Sequence, residues 1–463
     1  FSMNWDAVAE TENVYLLSIK KDLNKSNFAF CLSGHPEQLL HNIPEVKQKW
    51  ERVCSDTQDE DLVIAQCAIL GTEQPIARRH DSISGVPKGN SNGNRFISFN
   101  NDAEESYGKS QSYNSSVSKL AMEHYTQALN YLYKSKRNCT QMYDYTLLHW
   151  AASGDENADD VMNLFCFGNN SEEVDKALNT LAKGMLKGRM DTDDIDSETE
   201  YYIVAIKPNS SRMSVKFCYK QKFGSILDNI IAHQKDFAMS DSSRQVSFSR
   251  ILKEITPPGN DPKPNPTLSI GLIQAAYCGY RYPIGLLDAV IQRIHNDSDK
   301  ENEHFIKMND VRMGIIKAYI NREDRLNGRK EEIQMSLDNS NTNPAYLCGR
   351  LFAVLEYIQK RSAKGAKLNR TIKDSYFTSA STRPAMVFPT LLHLAAHHMA
   401  KYDESVYDER RIAEIQGMMG NDFPNMLTLK DQGRFMLGYY QQKDDDYRRI
   451  KAAKETKEAK SSK

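Results

Sequence analysis

No run of apolar residues in this 463-residue chain approaches the ~18 needed to cross a membrane. The opening stretch, Phe1–Lys20, also lacks the basic-then-apolar order of a signal peptide. Together these absences predict a soluble, cytoplasmic protein with no membrane partner. The initial Phe-Ser-Met is the start expected of a fragment, or of a chain with added leading residues. Eight cysteines are present but lie far apart, with no C-x-x-C pair and no Cys/His set at zinc spacing, so reduced thiols are expected instead of disulfides or a structural metal.

The signatures of catalysis are missing as well. There is no G-x-x-x-x-G-K-[ST] phosphate loop, no dinucleotide fingerprint and no G-x-S-x-G elbow, and no cofactor is predicted. His393 and His397 stand four apart on a helical stretch, as zinc-binding pairs do, but Leu394 occupies the place where a zinc protease carries its catalytic Glu. His80-Asp81 has the chemistry of a metal phosphohydrolase core without an assignable third ligand. Polar and basic loops remain, and these bind and do not react, so the chain is not expected to be an enzyme. Two alternatives stay open: a metal-dependent phosphohydrolase or nuclease using His80, Asp81, His393, His397 and His398, and a helical protein-interaction scaffold.

Charge is present in nearly equal signs, for a net of −1, but unevenly placed. Met335–Lys463 holds 21 basic and 15 acidic residues and carries +6, which leaves −7 on Phe1–Gln334, so only the C-terminal part invites a polyanion. Within it, Asn343 as N-cap, Pro344 in the first turn and Gly365 as a left-handed stop predict a helix over Pro344–Lys364. Leu347, Leu351, Val354, Leu355 and Ile358 form its apolar face. Across and beyond its end, Lys360, Arg361, Lys364, Lys367, Arg370 and Lys373 follow one another with no Asp or Glu between them. Such a run is either a solvated helix end or a track for a phosphate backbone.

Further upstream, Gly85–Asn94 has the Gly, Pro and Asn content of a loop with several positive-φ positions, and Arg95–Asn100 reads as a strand leaving it. A second polar loop, Ser106–Asn114, contains Lys109, and Ser118 then caps a helix whose buried face is expected to be Leu120, Ala121, Tyr125, Ala128, Leu129 and Leu132. Asp191–Glu200, with six acidic residues in ten, reads as a solvated linker. Tyr201–Ile206 and Met213–Lys220 read as a hairpin leading into a helix over Phe223–Lys235. Alternation puts Met213, Val215, Phe217 and Tyr219 on one face of the second strand, and Arg212, Lys216 and Lys220 on the other, as an ordinary exposed face or a phosphate contact.

Five prolines within Pro257–Pro266 mark the clearest boundary, and the pattern beyond it is helical. Length allows about three domains. The expectation is an α+β fold: a mixed N-terminal region over residues 1–256 with a β-hairpin, a helical connection over 267–334, and a four-helix bundle over 335–463.

Three sets of stretches resemble one family. They are Ile97-Ser-Phe-Asn100 with Glu105-Ser-Tyr-Gly-Lys109 and Ala128-Leu-Asn130; Lys207-Pro-Asn-Ser-Ser-Arg-Met-Ser-Val215 with Phe223-Gly224; and Asn343–Glu356 with Asp431-Gln-Gly-Arg-Phe435 and Gly438-Tyr-Tyr-Gln441. The resemblance, from about His35 to Lys443, is to the large subunit of the type I-C (Dvulg subtype) CRISPR surveillance complex, Cascade. Relative to that family an initial segment looks missing. The resemblance implies a non-catalytic subunit that sits beside the CRISPR RNA with other Cascade subunits and contacts the protospacer-adjacent motif (PAM) in double-stranded target DNA. It would support R-loop formation and leave cutting to a separate helicase-nuclease.

On that reading, Lys88, Asn90, Asn92, Asn94 and Arg95 have the chemistry to touch base edges or phosphates near the motif. Lys109, Arg212, Lys216 and Lys220 are further DNA contacts. Lys360, Arg361, Lys364, Lys367, Arg370 and Lys373 would follow the displaced single strand, with Tyr376 and Phe377 as stacking surfaces or as core. The resemblance also implies that such genes can yield a small subunit from within. Lys330-Glu331-Glu332 can be encoded AAG-GAG-GAA, a ribosome-binding sequence two codons before Met335, so a start there would release the bundle.

Overall fold

The computed structural model of the chain describes residues 29–32, 34–55, 63–142, 144–167, 196–240, 246–260, 262–297, 308–330, 333–363, 368–403, 405–420 and 422–461. The order is β1 (Cys31–Leu32), β2 (His35–Leu39), α1 (Pro44–Ser55), β3 (Ile64–Gln66), β4 (Glu73–Pro75), α2 (Lys119–Lys134), β5 (Cys139–Met142), β6 (Tyr145–Ala151), α3 (Glu156–Phe167), β7 (Glu200–Asn209), β8 (Arg212–Lys222) and α4 (Phe223–Phe237). Then follow α5 (Phe248–Ile255), α6 (Pro266–Cys278), α7 (Ile284–Asn296), α8 (Asp310–Leu326), α9 (Pro344–Ser362), α10 (Ile372–Ala380), α11 (Pro384–Met399), α12 (Ser405–Met419) and α13 (Leu429–Ser461). This is the α+β class that the sequence predicts. Contacts divide the chain into two units, residues 1–134 with 208–214 and residues 135–207 with 215–463.

Among the described residues the first unit holds two two-stranded ladders, β1 with β2 and β3 with β4. Its core is small: Cys67, Ala77, Val117, Ala121 and Met122, with Ile97 and Tyr125 against them. Ser118 does cap α2, its Oγ accepting from Ala121 N at 3.2 Å. The buried face of α2 is rotated from the expected one, for Met122, Thr126 and Tyr133 are buried and Ala128 is exposed, because the helix packs where Met122 and Ala121 meet Cys67 and Val117. Nor is Arg95–Asn100 a ladder strand: Asn94 and Arg95 make single bridges, to Ile83 and Arg212, and the segment then runs on unpaired.

The second unit holds the sheet β5-β6-β7-β8, and β8 is an edge strand. Tyr201, Ile203 and Ala205 on alternate positions of β7 are buried beneath the helices, as a strand covered on one face requires. One hydrophobic cluster runs from Leu147 to Tyr439, so helices on both sides of the proline-rich segment share it. At its centre α9 and α13 lie backbone to backbone: a Cβ at Gly349 would strike Phe435 O, and one at Gly438 would strike Tyr346 O. The predicted face of α9 is realised, with Leu347, Leu351, Val354, Leu355 and Ile358 all buried. No helix among the described residues is long and apolar enough to cross a membrane.

Candidate nucleic-acid interface

The Gly85–Asn94 loop is built on a closed root. Ile83 N donates to Asn94 O at 2.7 Å and Asn94 N to Ile83 O at 3.0 Å. Gly85, Lys88 and Gly93 take positive φ of 73°, 57° and 84°, the left-handed positions that the composition predicts. Asn94 is fully buried, its Nδ2 donating to Ser210 O at 2.8 Å and Arg212 O at 3.0 Å while its Oδ1 accepts from Asn90 N at 2.9 Å. That amide is spent on backbone, so Asn94 anchors the loop and leaves the set of base-reading candidates. Lys88, Asn90, Asn92 and Arg95 remain exposed, and Asn92 N donates to Asn90 Oδ1 at 2.9 Å.

A second asparagine organises the neighbouring loop in the same way. Asn114 Oδ1 accepts from Ser106 N at 2.9 Å, and its Nδ2 donates to Lys109 O at 2.8 Å and Gln111 O at 2.9 Å. Lys109 itself is exposed. The two polar loops therefore hold shape without a ladder, because a side-chain amide supplies the donors and acceptors that a strand partner otherwise would.

Beside the root lies a pocket of about 180 Å3, lined by Arg78, Arg79, His80, Arg95, Ile97, Ser98, Phe99, Asn100, Gln111 and Ser112. Arg95 donates from Nε to His80 O at 3.0 Å, and Arg78 from Nε to Gln111 Oε1 at 3.0 Å. His80 is buried, and its Nδ1 lies 2.5 Å from Tyr125 OH. Burial pushes the Tyr125 hydroxyl up to about 12 and the His80 imidazole down, so the phenol keeps its proton and the ring stays neutral. Positive charge at the pocket thus comes from the arginines alone. Arg78 and Arg79 were not singled out from the sequence, where an adjacent Arg pair beside a short apolar run has no distinguishing spacing.

The remaining basic candidates have varied surroundings. Arg212 forms a two-point pair with Glu104, Nη1 to Oε1 at 2.6 Å and Nη2 to Oε2 at 2.8 Å. Lys220 pairs with Glu200 at 2.8 Å and Lys216 is exposed. On the expected hydrophobic side of β8, Met213 is buried and Phe217 and Tyr219 partly so, whereas Val215 is exposed because the covering does not reach it. Lys360 pairs with Glu356 at 2.6 Å and Arg361 with Asp408 at 3.0 Å, and Arg370 is exposed. Lys364 and Lys367 lie outside the described residues.

Lys373 departs from the expected surface track. It is 5% exposed, under the ring of Tyr439, because α10 turns it toward α13. Phe377 is likewise core, edge-on to Phe352, Phe435 and Tyr439, and Tyr376 is partly buried against the same cluster. His393 and His397 sit 3.2 Å apart on an exposed helix face. Among the described residues no three His, Cys, Asp or Glu side chains come together in a metal-holding group.

None of the curated proteins is a match to the chain. A family profile described as CRISPR-associated protein (Cas_Csd1) matches residues 1–447, nearly the whole chain and more than the stretch that carries the motifs above. The chain therefore belongs to the Csd1 family, as a large subunit of a CRISPR-associated complex.

Proposed function

We propose that the chain is the large subunit of a type I-C Cascade, in which it reads the PAM and helps open the target duplex without cutting it. The Lys88–Arg95 stretch carries this reading: it offers Lys88, Asn90, Asn92 and Arg95 to solvent from a root fixed by buried Asn94. Protein contacts of this kind tip a strand exchange that is nearly balanced, because the guide–target duplex is about as stable as the DNA duplex it replaces. The CRISPR RNA and the other subunits supply sequence reading and the backbone of the assembly, and a separate helicase-nuclease cuts. Lys360, Arg361, Lys364, Lys367 and Arg370 then serve the displaced strand.

Binding of DNA by assembled complexes tests this. Asn92→Ala and Lys88→Ala weaken motif-bearing DNA by about 1–3 kcal/mol each if they contact bases. Equal weakening on motif-free DNA makes the residue a phosphate contact, and no effect on either DNA removes the loop from the interface. For the displaced strand, Gln at Lys364, Lys367 and Arg370 flattens the salt dependence of R-loop formation.

A further inference from the structure

We propose that the pocket between Arg78, Arg79 and Arg95 holds a single phosphate group of a nucleic-acid strand. Three guanidinium groups line this space, and among the described residues none forms an ion pair with a carboxylate. Gathering three like charges with no carboxylate paired to them costs free energy that a bound anion offsets.

The arginines are also aimed. Both Arg78 and Arg95 use Nε on a protein acceptor, Gln111 Oε1 and His80 O, which leaves their Nη groups for a ligand. A guanidinium held this way presents the planar, two-donor edge that matches phosphate oxygens. Gln111 does its part at a cost, since it sits at φ 51°, a left-handed conformation that side chains other than Gly, Asn and Asp rarely adopt. Its backbone is held there by Glu105, whose Oε1 accepts from Gln111 N at 2.8 Å.

Size limits the ligand. At about 180 Å3 the pocket is smaller than the ~300–1,000 Å3 of ordinary small-molecule sites, so it suits one phosphate and not a nucleotide cofactor. Ser98, Ser112 and Asn100 add hydroxyl and amide groups to the lining, and Ile97 and Phe99 add apolar surface. A phosphodiester of the guide RNA and one of the target DNA share this chemistry. The inference rests on the nucleic-acid reading of the first unit, but not on the loop's touching the motif.

The test uses complexes assembled from the full-length chain. Arg79 is exposed, so Arg79→Gln should leave the melting temperature of the chain unchanged. In the complex it should lower binding of one nucleic acid about tenfold or more. Loss of guide RNA from purified complexes identifies the RNA as the source; retained guide with weaker target binding identifies the DNA. The slope of log K against log salt should fall by about 0.9 for a duplex phosphate or about 0.7 for a single-stranded one. Because one phosphate is shared, adding Arg78→Gln to Arg79→Gln should change the slope no further. A slope change that grows with each substitution means separate phosphates and overturns the pocket. So does unchanged affinity and slope for both nucleic acids with Arg79→Gln. Lys88→Ala and Asn92→Ala in parallel report on the loop, so either reading can fail alone. Gln111→Ala, which only releases Arg78, should reproduce part of the loss.

Discussion

Arg212 and Glu104 face each other fork to fork, 108 residues apart in sequence, with Nη1 donating to Oε1 at 2.6 Å and Nη2 to Oε2 at 2.8 Å. The guanidinium's hydrogen bonds hold the Glu104 carboxyl down at about 2. A depressed carboxylate contributes stability that is complete above its ordinary pKa and is lost as pH falls through the folded value. The pair should therefore weaken only between about pH 4.5 and 2. Arg212→Gln and Glu104→Gln should each lower the melting temperature at pH 7, and the double variant should be no worse than either single one. Additive losses would show that the two side chains act separately.

Asn94→Ala is expected to act on folding, since it strands Ser210 O, Arg212 O and Asn90 N inside the loop root. The cost should be about 1–3 kcal/mol in denaturant unfolding. Asn92→Ala, on the exposed side, should leave unfolding unchanged. A destabilised Asn92 variant with a normal Asn94 variant would reverse these assignments.

Lys373 gives the helical region an alkaline signature. Burial, with help from Lys443, pushes its pKa down to about 8, while Glu356, Tyr439 and Lys443 form a bonded group around it. The unfolded lysine titrates near ~10.4, so between about pH 8 and 10 the unfolded chain binds more protons and stability rises with pH. Over that window the gain is on the order of 2–3 kcal/mol. Lys373→Met should flatten the rise, as read from unfolding midpoints at pH 7.5, 8.5 and 9.5. An undiminished rise would place the titration elsewhere.

A polypeptide started at Met335 should be tied to its complex. In the full chain Gln441 Nε2 donates to Gln334 O at 2.8 Å, and Gly433 of α13 rests on Ile316 and Ile320 of α8. Started at Met335, the product would leave those partners behind and expose the apolar side of α13. Recoding Lys330–Glu332 to AAA-GAA-GAA should reduce the small product without changing the full-length chain, and light scattering should find the purified product self-associated. Intact-mass analysis showing no such polypeptide in complexes would end the idea.

Several elements were legible because their signals are local. Asn343 and Pro344 start α9 as a cap and first-turn proline do, and the left-handed glycines of the Gly85–Asn94 loop follow from a backbone that other residues adopt reluctantly. The α10 helix was missed because its nine residues, Ile372–Ala380, carry a weak apolar period, and only Phe352, Phe435 and Tyr439 make Phe377 a core residue.

By itself the sequence determined the helix starts, the positive-φ loops, the uneven charge and the family, since each depends on residues close together or on motifs in order. Only the tertiary structure decided which polar side chains are available. Asn92 and Asn94 have the same chemistry and stand two residues apart, yet one is in solvent and the other is closed over by the backbone of Ser210 and Arg212. Lys373 and Arg370 belong to one basic run, yet α10 buries the first against Tyr439 and leaves the second outside. The arginine pocket likewise exists only because the chain between Arg79 and Arg95 folds back on itself, and hydrogen bonding and burial between residues distant in sequence have no trace in local composition.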